Sequence, residues 1–116
     1  MALMRVLLAL ALIGAFPTQE QAPNRREFTI VAQGSAFTPD RIEVSQDDIV
    51  KITFRSEDRP HSFAIDAYRI VKRAATGQSV TFEFRADQPG SFPYYCNLTT
   101  DERCRDMRGT LVVKAR

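Results

Sequence analysis

Apolar residues recur at every second position through most of this chain, and polar residues fill the positions between. In "REFTIVAQ" (26–33), Phe28, Ile30 and Ala32 share one face. In "DRIEVSQ" (40–46), Ile42 and Val44 do the same. "DDIVKITFRS" (47–56) carries Ile49, Val50, Ile52 and Phe54, and "HSFAID" (61–66) places His61, Phe63 and Ile65 at one parity. "QSVTFEFRAD" (78–87) alternates most cleanly, with Val80, Phe82 and Phe84 inward and Thr81, Glu83 and Arg85 outward. "SFPYYCN" and "GTLVVKA" complete the series. Pro39, Pro60, Gly77 and the "QPG" of 88–90 punctuate the runs. No dozen residues carry a helical stripe; "DAYRIVKRAA" comes nearest and suits a short helical turn or an extended excursion equally. Six or seven short strands at this spacing predict an all-β domain, a Greek-key antiparallel β-sandwich or barrel. With no tryptophan, and no cysteine pair bridging early and late strands, an immunoglobulin-type domain is disfavoured.

The start of the chain breaks the pattern. Arg5 precedes an apolar run from Val6 to Phe16, and Gly, Pro and polar residues follow. Eleven apolar residues are too few to span a bilayer and suit the core of a secretory signal peptide. Residues 1–22 are therefore expected to be a signal peptide, cut near Ala15 (with Ile13 three positions before the cut) or near Ala22, and 23–116 the mature domain. An uncleaved N-terminal anchor is the alternative. The expected location is periplasmic or secreted.

Charge narrows the partners. The 116 residues carry a net charge of +2, and removing 1–22 leaves it there because Arg5 and Glu20 cancel. That excludes a nucleic-acid-sized positive field. The arginines sit among acids in "RSEDR" and "DERCRDMR", as on a solvated surface. The sequence contains no repeat or low-complexity segment.

Candidate chemistry gathers in "FPYYCNLTTDERCRDM", which holds both cysteines, Cys96 and Cys104, and Met107. The single histidine, His61, lies 35 residues before Cys96 and opens a strand. In a sandwich, the loop between the last two strands can meet the start of an earlier core strand. Imidazole, thiolate and a weak methionine thioether form the donor set of copper electron-transfer sites. Soft sulfur favours Cu(I), imidazole tolerates Cu(II), and a rigid sheet holds one geometry for both.

"RPHSFAID", "GQSVTFEFRADQPGSFPYYC" and "MRGTLVV" together resemble the cupredoxin family, specifically small exported cupredoxin-like domains, from about Phe28 to Lys114. The resemblance implies a single-domain Greek-key sandwich binding copper at one end. It carries ligand roles onto His61, Cys96 and Met107. It also exposes a departure. A mononuclear blue-copper loop reads Cys, then His, then Met, and here that histidine is missing. The binuclear loop of oxidase subunit II-type cupredoxins is similar to Cys-x3-Cys-x3-His-x2-Met, eleven positions from first Cys to Met. Cys96 to Met107 also spans eleven, but that register puts Thr100 at the second cysteine and Cys104 at the histidine. One copper ion, not two, is the expectation.

Three roles for Cys104 stay open. It can replace the histidine as a ligand, giving His61, Cys96, Cys104 and Met107, a softer set that favours Cu(I) or a low-potential Cu(II) site. It can pair with Cys96 in a disulfide, provided the Cα atoms come within about 7 Å. Or it is incidental, and water or an external ligand completes a three-ligand site. Zinc suits His plus two Cys, but Met107 is a poor zinc ligand and no CxxC knuckle is present. Thiol redox chemistry wants a CxxC at a helix start, whereas seven residues separate these cysteines.

Neighbouring residues take supporting roles. Asn97 can tune the thiolate or serve a turn. "TTDER" can start a helical turn, with Thr100 or Asp101 as its cap, placing Cys104 and Met107 on one face. Phe63, Tyr94 and Tyr95 can form an apolar collar or simply fill the core, and Pro60 fixes the approach of His61. Ser62 points away from His61 and so makes no nucleophile–base pair, and no oxyanion or phosphate loop is present. The sequence thus points to a copper-binding one-electron carrier, not a stand-alone enzyme. It is expected to be a monomer with a redox or copper-exchange protein partner. The alternatives are a protein that holds and delivers Cu(I), and a copper-free module closed by a Cys96–Cys104 disulfide.

Overall fold

The computed structural model describes residues 23–116. The signal-peptide expectation falls on 1–22 and lies outside them. Among the described residues are nine strands: β1 (Arg25–Gln33), β2 (Ala36–Thr38), β3 (Arg41–Ser45), β4 (Ile49–Ser56), β5 (His61–Ile65), β6 (Ile70–Ala74), β7 (Ser79–Arg85), β8 (Gly90–Tyr95) and β9 (Arg108–Lys114). A 3-10 turn spans Asp66–Tyr68, and one short helix, α1, spans Glu102–Arg105. Two sheets face each other, a four-stranded one in the order β2-β1-β4-β7 and a five-stranded one in the order β3-β9-β8-β5-β6. This is the expected all-β sandwich.

The alternation sets which face is buried. Ile30 and Ala32, Ile42 and Val44, Val50, Ile52 and Phe54, and Leu111 and Val113 all turn inward, while their neighbours along each strand are more exposed. Phe37, Phe54, Phe63, Phe82 and Tyr94 interlock at the centre with ring centroids 4.9–6.2 Å apart, in tilted and edge-on pairs. Each fully buried side chain of this size contributes roughly 1.5–3 kcal/mol from removal of apolar area from water.

The sheets are mixed rather than wholly antiparallel. β1 pairs in parallel with β4, from Arg25 opposite Ile49 to Ala32 opposite Ser56, and β3 pairs in parallel with β9. The cause is connectivity: after the β1–β2 hairpin the chain crosses to the other sheet as β3, then returns as β4 beside β1, running the same way. The ambiguous "DAYRIVKRAA" proves to be both readings in turn, a 3-10 turn followed by the edge strand β6.

β8 and β9 form the hairpin that carries the loop of interest. Gly109 lies opposite Tyr94, and a Cβ on Gly109 would come within 2.1 Å of the Tyr94 ring. Glycine there lets the ring lie flat across β9. The Tyr94 hydroxyl donates to the Pro39 carbonyl at 2.8 Å, and burial followed by the Asp40 charge pushes its pKa well up.

Candidate metal centre

His61 opens β5, a strand buried along its whole length, and its side chain is completely buried. One ring nitrogen is engaged: Nε2 lies 2.9 Å from Asp58 Oδ1. Asp58 is itself well held, since its Oδ2 accepts the Gly34 N–H at 2.9 Å. Burial works to raise the Asp58 pKa, but the His61 bond, the backbone N–H of Gly34 and the Arg59 charge outweigh it and hold the carboxyl down at about 2. An ionised carboxylate on Nε2 favours the tautomer with hydrogen on that nitrogen. The other nitrogen, Nδ1, is then a lone pair, and it is buried without a hydrogen-bond partner among the described residues. Buried polar atoms are rarely left so, and an imidazole oriented through its far nitrogen by a carboxylate is the arrangement of a metal-binding histidine.

The sulfur residues flank the β8–β9 hairpin. Cys96 follows the last residue of β8, and Met107 precedes the first of β9. The Cys96 N–H reaches the Met107 carbonyl at 3.4 Å, extending the ladder one step beyond its last strand pair. Between them, Asp101 caps α1 by accepting the Arg103 N–H at 2.9 Å, as one of the two expected caps. The Cys104 N–H reaches Asp101 O at 3.1 Å, and the Met107 N–H reaches Cys104 O at 3.2 Å. This tight turn folds Cys104 inward, so Cys104 and Met107 are both completely buried.

Cys96 and Cys104 are joined as a disulfide, with their Cα atoms 5.1 Å apart. Both sulfurs also receive backbone donors. The Ser62 N–H points at Cys96 Sγ from 3.3 Å, and the Leu98 N–H points at Cys104 Sγ from 3.1 Å. A disulfide sulfur is a weak acceptor, whereas a thiolate is a strong one stabilised by such donors.

The structure therefore brings Cys96 and Cys104 together outright, sets Met107 one backbone hydrogen bond from Cys96, and places the residue after His61 against the Cys96 sulfur. Among the described residues, no three His, Cys, Asp or Glu side chains already converge in a metal-holding group. The donor chemistry still fits a soft metal ion once the disulfide is opened: an imidazole with a free lone pair, two sulfurs with donors aimed at them, and a buried thioether.

Ser62 is the residue that sequence reasoning set aside. Pointing away from His61 turns it toward the Cys96 side of the strand. Its Oγ accepts the Asn97 N–H at 2.7 Å, donates to Asn97 Oδ1, and lies 3.6 Å from Cys96 Sγ. Strand parity and the neighbouring position of β8 were the signal. Asn97 acts through Ser62 in the described contacts. Phe63 and Tyr94 belong to the core, and Tyr95 turns outward to donate its hydroxyl to Asp66 Oδ1 at 2.7 Å.

Two mixed sheets, a histidine at the opening of an inner strand, and cysteine and methionine flanking the last hairpin agree with a match of the cupredoxin-like domain to residues 6–113. The chain belongs to the cupredoxin-like domain family. Cupredoxin-like relatives include cytochrome c oxidase subunit 2 of Thermus thermophilus, 26% identical over 95 residues, covering 82% of this chain and 70% of that protein. A chain of a heme-copper terminal oxidase dimer superposes with a TM-score of 0.73 at 20% identity, over 89% of this chain and 76% of the other. Auracyanin A, a "blue" copper protein from the green thermophilic photosynthetic bacterium Chloroflexus aurantiacus, superposes with a TM-score of 0.65 at 19% identity, over 78% of this chain and 100% of its own. At these identities the two superpositions bear on the cupredoxin fold alone.

Proposed function

We propose that this is an exported copper-binding protein of the cupredoxin-like family, periplasmic or secreted, that works in one-electron transfer and is not an enzyme by itself. The metal-binding form is the dithiol. His61 Nδ1, Cys96, Cys104 and Met107 would hold a single copper ion. The observation that carries the reading is the buried, unpartnered Nδ1 of His61, oriented by Asp58 through Nε2. Copper, when bound, supplies a one-electron Cu(II)/Cu(I) couple. The chain's own part is to present Nδ1 as a lone pair, to stabilise two thiolates through the Ser62 and Leu98 N–H groups, and to exclude water by burial. The apolar run of 6–16 supports export, and the partner would be a redox or copper-exchange protein.

A second reading, that the protein holds and delivers Cu(I), is favoured by the preponderance of sulfur: three of the four donors are soft. The two separate cleanly. Copper(II) added to the reduced protein is expected to give an intense thiolate-to-copper visible band and a stable EPR signal that cycle reversibly. Tight, colourless Cu(I) binding with no stable Cu(II) form favours delivery instead. Cys104→Ser is expected to shift the band and His61→Ala to abolish the stable site. Identical weak, thiolate-free spectra from wild type and both variants sink the copper reading, leaving a disulfide-closed binding module.

A further inference from the structure

A series of polar contacts runs from the histidine to the helix that carries the second cysteine. His61 Nε2 meets Asp58 Oδ1 at 2.9 Å, and Asp58 Oδ2 accepts from Arg59 Nε at 3.3 Å. The same guanidinium extends across the loop to Asp101, at 3.5 Å from its Oδ2. Asp101 in turn caps α1 through its Oδ1. Among the described ion pairs, Arg59–Asp101 is the one that joins the 57–60 loop to the 97–107 loop. The three side chains are only 25–29% exposed, so water screens them incompletely.

The rest of the loop divides unevenly. Its first residues are tied to β5, because Ser62 holds both Cys96 and Asn97. The hydrogen bonds at Cys104 are internal to the loop: the Leu98 N–H on its sulfur, its own N–H on Asp101, and its carbonyl under Met107. While Cys96 and Cys104 are bonded, the covalent link keeps α1 in place. When they are thiols, the packing of Cys104 and Met107 into the core remains, and Arg59 is the charged contact that connects the α1 side of the loop to the His61 side.

We propose that Arg59 is a positioning residue, a noncovalent latch that keeps Cys104 in register with His61 when the disulfide is open. This rests on the reading of the dithiol as the metal-binding form. Arginine suits the task because its planar fork offers donors to two carboxylates at once, which a lysine ammonium does less well.

Amide hydrogen exchange of the metal-free protein tests it, in the oxidised and the reduced state. In Arg59→Gln, the Cys104 and Met107 amides of the reduced protein are expected to exchange about two- to fivefold faster, the range of a partly exposed ion pair. The same amides in the oxidised protein, and the β4 and β7 amides in both states, are expected to stay at wild-type rates. Asp101→Asn, which keeps a capping side chain and loses the charge, should reproduce the effect, and Arg59→Lys should recover part of it. Cu(I) affinity, read by competition with a chromophoric chelator, should fall by a similar factor in Arg59→Gln. Unchanged exchange in the reduced protein, or an equal change in both oxidation states, overturns the latch. The expected exchange pattern in a protein that takes up no Cu(I), wild type included, upholds the latch and refutes the copper reading alone.

Discussion

The aromatic centre of the sandwich and the sulfur–imidazole end are equally buried, yet they are held by different physics. Phe37, Phe54, Phe63 and Tyr94 touch one another several times over, with Phe82 packed on Phe63, so most contacts are backed by others. At the other end, order depends on a few directional bonds: Asp58 on His61, Ser62 on Cys96, Leu98 on Cys104, and one disulfide. Among the described residues, two buried side-chain polar atoms, Ser56 Oγ and His61 Nδ1, lack partners, and both belong to residues flanking the β4–β5 connection. Burial at the centre is stability. Burial here carries a desolvation cost that the fold tolerates, as sites kept for chemistry commonly do.

The contrast breaks first at Phe63. Phe63→Ala should cost about 3–5 kcal/mol in chemical denaturation, because a packed ring cluster cannot collapse into the space. A cost below about 2 kcal/mol would mean the centre is no more tightly built than the site. Opening the Cys96–Cys104 bond with a thiol reductant should lower stability by about 2–3 kcal/mol, the loop-closure contribution of so short a ring. The loss should appear as faster exchange in 97–107, while the ring cluster keeps its near-ultraviolet signature. Gly109→Ala should cost about 1–3 kcal/mol, since the new methyl meets the Tyr94 ring and β9 must shift. Ser56→Ala should be neutral within about 0.5 kcal/mol or slightly stabilising, because it removes a hydroxyl that has no partner among the described residues. A clear destabilisation by Ser56→Ala would show that the hydroxyl is satisfied in solution and would erase half of the contrast.

Most of the fold was legible because alternation reports burial directly. β1, β3, β4, β7, β8 and β9 carry it, while β5 is buried on both faces and His61 shares the parity of Phe63 and Ile65. The pattern missed β2 and left β6 open between turn and strand, both for physical reasons. β2 has three residues, too few for a period to register. β6 lies on a sheet edge with only Ala74 buried and Val71 58% exposed, so neither face is uniformly apolar. Parallel pairing was illegible because it depends on which sheet a crossing strand joins. The cap at Asp101 was readable from "TTDER" and a meeting of Cys96 and Cys104 was among the readings, but the choice of a disulfide was not settled. It depends on α1 being a single turn that folds the chain back, which spacing alone leaves undetermined.

The order of the five-stranded sheet also bears on how the molecule comes into being. β9 lies between β3 and β8, with Thr110 opposite Arg41, so its parallel pairing joins segments 69 positions apart. Closing so wide a loop before any contact rewards it makes folding slow compared with helical domains of this size. β3 has no strand neighbour until 108–114 are available. The four-stranded sheet can assemble once β7 has arrived, so the last strand closes only the second sheet, joining β3 to β8.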